Sequence, residues 1–234
     1  MLSFSIDSID NGNVTQAPSD ISQIEGKLLC DVTVQCYINE DGLNNDSTLD
    51  NDGLGMENNL NNKNDPRLVL NELRAKNMDR PIISCININF LENKFEPLKS
   101  IITDNVDILL VSETKLDDTF PLNQFEIEGY SIPKRLDRNC HSGGILFFIR
   151  NDLPHKELEL HNLPNNIDSI FLEITLRKNK WLIIGGYNPH KDNISYFLNS
   201  IGKELDKFLP SYENILILGD FNSTMLEKEM QEFC

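Results

Sequence analysis

The chain has 234 residues and a formal charge of −16, room for one large domain or one domain with a tail. That charge excludes a broad basic surface, so a nucleic-acid partner would have to be met through metal ions and a few local basic residues. No apolar run reaches the roughly 18 residues of a membrane span, and the opening Met-Leu-Ser-Phe-Ser-Ile-Asp lacks the basic and apolar blocks of a signal peptide.

In chain order, residues 1–64 are dominated by Asn, Asp, Ser and Gly, with Asn44-Asn45-Asp46 and Asn58-Asn59-Leu60-Asn61-Asn62 as polar clusters. Such a composition cannot bury enough apolar area to offset its ordering entropy. Residues 27–38 are the exception, a candidate strand or partner-docking piece carrying Leu28-Leu29-Cys30 and Val32-Thr33-Val34. A short helix is expected over 66–76, with Asp65 as N-cap and Pro66 in the first helical position. Residues 1–80 therefore read as a mostly disordered, Asn/Asp-rich leader, available to a protein partner.

The pattern changes at Arg80. Residues 81–87 read as a strand, and 95–103 as an amphipathic helix with Phe95, Leu98, Ile101 and Ile102 on one face. Residues 107–113 read as a second buried strand, so this strand–helix–strand unit implies a parallel pair with a crossover. A weaker strand is expected over 125–132, and another over 145–149 after Gly143-Gly144. Residues 170–176 alternate and read as half-buried, pairing with 180–187 across an Arg177-Lys178-Asn179 turn. A helix follows over 193–208. Residues 214–222, Asn-Ile-Leu-Ile-Leu-Gly-Asp-Phe-Asn, read as a strand buried on both faces that Gly219 ends. Residues 224–233 suit a further helix. Five cysteines (Cys30, Cys36, Cys85, Cys140, Cys234) show neither Cys-x-x-Cys nor zinc spacing, the usage of reduced thiols inside a cell. The ordered part is thus mixed α/β, a sheet with helices packed on it.

Four of these strands end in residues suited to a hard cation and phosphate oxygens. They are Asn87 with Asn89, Glu113, Tyr187-Asn188-Pro189-His190, and Asp220 with Asn222. Each has a bland reading, such as a turn former, a helix cap or a core aromatic. In a parallel sheet, however, equivalent ends converge on one edge.

The motifs Asn87-Ile88-Asn89, Ser112-Glu113-Thr114-Lys115-Leu116, Gly143-Gly144-Ile145, Tyr187-Asn188-Pro189 and Gly219-Asp220-Phe221-Asn222 occur in order. Together they resemble the endonuclease/exonuclease/phosphatase superfamily, and within it the apurinic-type endonuclease domain of jockey-like non-LTR retrotransposons. Asn93-Lys94-Phe95-Glu96, Asp107-Ile108-Leu109, Asp137-Arg138-Asn139 and Lys180-Trp181-Leu182-Ile183 carry the finer likeness, which covers roughly residues 81–223.

The resemblance implies a DNase I-like four-layer α/β sandwich of two sheets packed face to face. It implies Mg²⁺, or Mn²⁺ in its place, held by Glu113 and Asn87. Asp220 would orient or deprotonate the attacking water, Asn222 would bind the phosphate and transition state, and Tyr187 would contact the scissile phosphate, with Asn87 and Asn89 on the substrate. The implied activity is nicking of DNA to prime reverse transcription, in the nucleus, with no membrane involvement.

The family pattern continues with a further Asp and a Ser/Thr-Asp-His motif that this chain does not carry. His141, His155, His161 and His190 all precede the last strand. Hence residues 81–234 are expected to form the N-terminal part of the domain, an incomplete sandwich with one sheet mostly present and an apolar face exposed. Activity as an enzyme is left open, with little or none expected of the chain as it stands. Two other readings remain: a phosphodiesterase or phosphatase acting on lipid or inositol phosphates, and a non-catalytic fragment acting through protein binding.

Overall fold

The computed structural model describes residues 65–189 and 194–223, together with the backbone of 33–37. The helix expected over 224–233 and the strand-end residue His190 lie outside the described residues. Asp65 opens α1 (Pro66–Lys76) by accepting the Arg67 N–H at 2.9 Å, and Pro66 occupies the first turn, where its missing donor is no loss. Leu70 is the buried residue of α1, and Arg74 anchors the helix by donating to Asp107 at 2.5 Å.

Strand β1 (Thr33–Tyr37) pairs in parallel with β2 (Ile83–Asn87), so the piece within 27–38 joins a sheet at the level of backbone. From β2 the chain crosses through α2 (Phe95–Ile102) to β3 (Ile108–Ser112), which lies parallel to β2. The antiparallel strands β4 (Lys134–Leu136) and β5 (Ile145–Ile149) complete a five-stranded sheet in the order β1-β2-β3-β5-β4.

The strand expected over 125–132 does not form. Phe125 and Ile127 are buried, but from a short 3₁₀ turn and the loop after it. Phe125 meets the Phe95 ring edge-on at 5.3 Å, and the Tyr130 hydroxyl donates to the Ile102 and Val106 carbonyls. These side chains seal the helix-covered face of the sheet. Their apolar character is that of a core-facing loop, which a short apolar run cannot distinguish from a strand.

The second sheet has the order β6-β7-β8-β9, built from β6 (His155–Glu157), β7 (Asp168–Leu176), β8 (Asn179–Tyr187) and β9 (Asn214–Asp220). A two-residue turn joins β7 to β8, with Arg177 and Lys178 at φ +49° and +72°, the left-handed pair whose twist matches the flanking strands. Asn179 belongs to β8. Helix α3 (Ile194–Leu205) crosses over to β9, which runs parallel to β8.

Burial corrects two sequence expectations. Strand β7 is not half-buried: most of it is closed off, because one face meets the first sheet and the other lies under α3. Strand β9 is not buried on both faces. Only Leu218 is fully buried, because β9 is the edge of its sheet among the described strands. Pairing also runs through Gly219 to Asp220, so the glycine does not end the strand. A Cβ at Gly219 would come within 1.9 Å of the Gly186 carbonyl oxygen, so the residue serves close approach of the two strands.

The expected exposure of an apolar sheet face is also overturned. Ile108, Leu110 and Phe147 from one sheet interlock with Ile170, Leu172 and Ile183 from the other. Helices α1 and α2 cover the outside of the first sheet, and α3 covers the outside of the second. The layers run helix, sheet, sheet, helix, the DNase I-like sandwich, with both sheets present. Among the described residues no helix is long and apolar enough to cross a membrane.

One buried carboxylate sets a pH dependence. Glu204, at the end of α3, accepts the His161 N–H at 3.1 Å and pairs with Lys207 at 2.5 Å. Burial opposes its charge, but the Lys207 ammonium and the backbone donors outweigh burial and hold its carboxyl below the usual range. A depressed folded pKa stabilises above the unfolded value and is lost as pH falls through the folded one. Glu204→Gln should therefore flatten the acid side of the stability curve, with a loss of about 1–3 kcal/mol at neutral pH, read by urea unfolding at several pH values.

Candidate functional site

The site forms where the ends of two sheets meet, not along one parallel edge. Strand β2 delivers Asn87. Glu113 follows β3 in a left-handed turn at φ +53°, and the chain beside it, Asn89 and Phe90, is left-handed too. Backbone bonds continue the pairing past the strands: Ile88 N–H to the Ser112 carbonyl at 3.0 Å, Phe90 N–H to Glu113 at 2.9 Å, and Leu91 N–H to Thr114 at 3.0 Å. The buried Lys94 ammonium ties the same loop down by donating to the Ile88 and Asn89 carbonyls at 2.8 and 3.1 Å. From the second sheet, β8 and β9 bring Tyr187 and Asp220 opposite each other in register.

The side chains then close on one another. The Asn87 amide nitrogen donates to Glu113 Oε1 at 3.0 Å and to Asp220 Oδ2 at 2.8 Å. The Tyr187 hydroxyl donates to the same Glu113 Oε1 at 3.0 Å. Asn222, left-handed at φ +49°, gives its backbone N–H to Asp220 Oδ1 at 3.2 Å and its side-chain amide to the Asn188 carbonyl at 2.8 Å. Asn188 returns a bond to the Phe221 carbonyl at 3.0 Å. Asn89 sits at the rim: its N–H reaches Asn87 Oδ1 at 3.1 Å and its side-chain oxygen accepts from Lys115. Asn87, Asn89, Glu113, Tyr187, Asn188, Asp220 and Asn222 are thus in one connected group.

Burial, and next the Glu113 charge, raise the Tyr187 phenol well above its ordinary value, so its hydroxyl remains a donor at neutral pH. Two carboxylates share one amide NH₂ group, which stands between them where a cation would relieve their repulsion. Asn87 turns its oxygen to Asn89 in this arrangement. Among the described residues no three His, Cys, Asp or Glu side chains cluster closely enough to hold a metal by themselves. The donors are nevertheless the right kind for Mg²⁺, which takes one or two carboxylates and keeps much of its water. Glu113 with amide oxygens fits that demand.

Two supporting residues were not among the sequence candidates. Lys94 sits inside a quoted motif but reads as an ordinary loop residue. Asp168, the first residue of β7, faces Tyr187 across the hairpin register and is buried. Its Oδ2 accepts the Gly144 N–H at 3.1 Å, and its Oδ1 lies 3.4 Å from Arg138 Nε. Burial pushes its carboxyl above the usual range, against the pull of the Gly144 N–H and Arg138. The only signal for it was a carboxylate opening an otherwise apolar strand.

No match was found among curated protein sequences. Among solved structures, the chain is similar to a mannosyl-6-phosphatase from Bacteroides thetaiotaomicron, at TM-score 0.50 and 10% identity, covering 66% of this chain and 70% of that one. It is also similar to a 3′-5′ exonuclease from Neisseria meningitidis, at TM-score 0.46 and 20% identity, covering 60% and 57%. An AP endonuclease from Archaeoglobus fulgidus aligns at TM-score 0.43 and 15% identity, covering 61% and 58%. The chain thus spans less than two thirds of the length of that exonuclease and that endonuclease. The sequence profile of the endonuclease/exonuclease/phosphatase family matches residues 59–234, a span that holds the shared site and every strand of the two sheets except β1, and the chain belongs to that family.

Proposed function

We propose that this chain carries the metal- and phosphate-binding part of a phosphodiesterase centre directed at DNA, of the kind found in non-LTR retrotransposon endonucleases. The observation that carries it is the Asn87 amide joining Glu113 of one sheet to Asp220 of the other, with Tyr187 on the same carboxylate. Two converging carboxylates, a protonated phenol and amides form a set for holding a phosphate ester and activating water. The motif order and the wording around Asp137-Arg138-Asn139 and Lys180-Trp181 support the retroelement reading over the lipid phosphatase one.

Glu113 and Asn87 would hold a divalent ion, Mg²⁺ or Mn²⁺, which when bound neutralises charge on phosphate oxygens. Asp220 accepts the proton of the attacking water. Its Oδ1 is fixed by the Asn222 N–H, which leaves the carboxylate a single orientation. The Tyr187 hydroxyl stays protonated and offers its proton to a non-bridging oxygen once that replaces Glu113 as its acceptor. Asn89 and Lys115 at the rim place one amide and one positive charge beside the incoming backbone, a local attraction that an acidic chain needs.

Supercoiled plasmid tests this reading. Mg²⁺ should convert it to relaxed circles only slowly, as expected of residues that include no Ser/Thr-Asp-His motif, and chelation should stop the reaction. Release of phosphate from a lipid head group or a sugar phosphate with the plasmid left intact would overturn the DNA reading.

A further inference from the structure

Glu113 stands on a left-handed residue just beyond β3, so its carboxylate is placed by what holds residues 113–115. On one side these residues are held by the loop 88–91. On the other side, among the described residues, the glycine pair holds their backbone: the Thr114 N–H donates to the Gly144 carbonyl at 3.3 Å and the Lys115 N–H to the Gly143 carbonyl at 3.0 Å. Gly143 and Gly144 are themselves left-handed, at φ +72° and +85°, and need an anchor of their own. Asp168 supplies it by accepting the Gly144 N–H. The fit is tight, since a Cβ at Gly143 would lie 2.9 Å from Asp168 Oδ2 and 2.8 Å from Arg138 Cδ. Arg138 closes the other end of the chain of contacts by pairing with Asp168 and donating to the Asn166 carbonyl at 2.7 Å.

We propose that Asp168, oriented by Arg138, is a positioning residue for Glu113, acting through the Gly143-Gly144 backbone on residues 114 and 115. The pair links the start of β7 in the second sheet to the turn after β3 in the first. It therefore sets the separation of the two sheet edges at the point where Glu113 and Tyr187 meet. A buried carboxylate is an expensive way to hold a turn that a neutral side chain could hold, and its register opposite Tyr187, at the site end of the hairpin, agrees with this role. The effect on cation affinity rests on reading Glu113 as the metal carboxylate; the backbone relay does not.

The test is amide hydrogen exchange by NMR on the full chain, together with Mn²⁺ binding followed by electron paramagnetic resonance. Asp168→Ala should speed exchange at Thr114 and Lys115 by on the order of tenfold, with Leu110 and Val111 unchanged. Asp168→Asn, which keeps an acceptor for Gly144, should restore most of that protection, and Arg138→Met should fall between. Mn²⁺ affinity should drop about 10–100-fold in Asp168→Ala, the scale of losing an outer support of a metal ligand. Should the alanine variant fail to fold, the asparagine and Arg138→Met chains carry the comparison. Wild-type exchange at Thr114 and Lys115 in folded variants would overturn the proposal. A wild-type chain that binds no Mn²⁺, yet shows the exchange response, would support the relay and sink the metal reading.

Discussion

Gly144→Ala should destabilise the chain by about 2–5 kcal/mol, whereas Gly129→Ala, at the same backbone angle, should lose only about 1–2 kcal/mol. Both glycines have φ +85°, so each substitution carries a left-handed backbone penalty. They differ in what surrounds them. A Cβ at Gly129 meets nothing within 4 Å, while one at Gly144 would lie 2.5 Å from Thr114 Oγ1 and 3.4 Å from the Leu136 carbonyl. The difference between the two variants in chemical denaturation therefore reads chiefly the steric part. Thr114→Ala in the Gly144→Ala background should recover that part and leave the backbone part. The wild-type Thr114 hydroxyl is buried without a hydrogen-bond partner among the described residues, so its removal alone should be mild. Equal losses at Gly144 and Gly129 would show that the turn yields easily and does not brace the site.

Glu113→Gln should reduce plasmid nicking by at least about a hundredfold, on the scale of several kcal/mol of lost charge stabilisation. Glutamine keeps the shape and the acceptor that Asn87 and Tyr187 use. It removes one of two negative charges that share the Asn87 amide, so the melting temperature should hold or rise. That opposition of lost activity and retained stability marks a functional group placed at some cost to the fold. A fall in melting temperature with nicking unchanged would reassign Glu113 to structure.

The strand ends carried most of what could be read in advance. Asn87, Glu113, Tyr187, Asp220 and Asn222 each follow an apolar run, and such residues lie together whenever the runs form sheets. The hydrophobic pattern by itself could not divide the runs between two sheets; the family resemblance implied two. Strand β7 alternates as if one face were wet, yet both faces are covered, because α3 packs on the side that the pattern marked as solvent. Residues 125–132 misled for the opposite reason: Phe125 and Ile127 are core residues without strand geometry. Asp168 was hidden because its role depends on partners 24 and 30 residues earlier, Gly144 and Arg138, and a lone carboxylate at a strand start has no local signature. Strand β9 looked fully buried from four consecutive apolar residues, but its place at a sheet edge is a property of topology.

The central claim is that Asn87 and Glu113 hold a cation beside Asp220 and Asn222, in one site drawn from two sheets. Paramagnetic broadening of NMR signals by Mn²⁺ tests it directly. At low Mn²⁺ the backbone amides of Glu113 and Asp220 and the side-chain amides of Asn87 and Asn222 should broaden first and together. Chelation should restore them, and Glu113→Gln should leave them sharp. Broadening that begins in the acidic residues before Asp65, or at surface carboxylates such as Glu157, while those four signals stay sharp, would contradict the account.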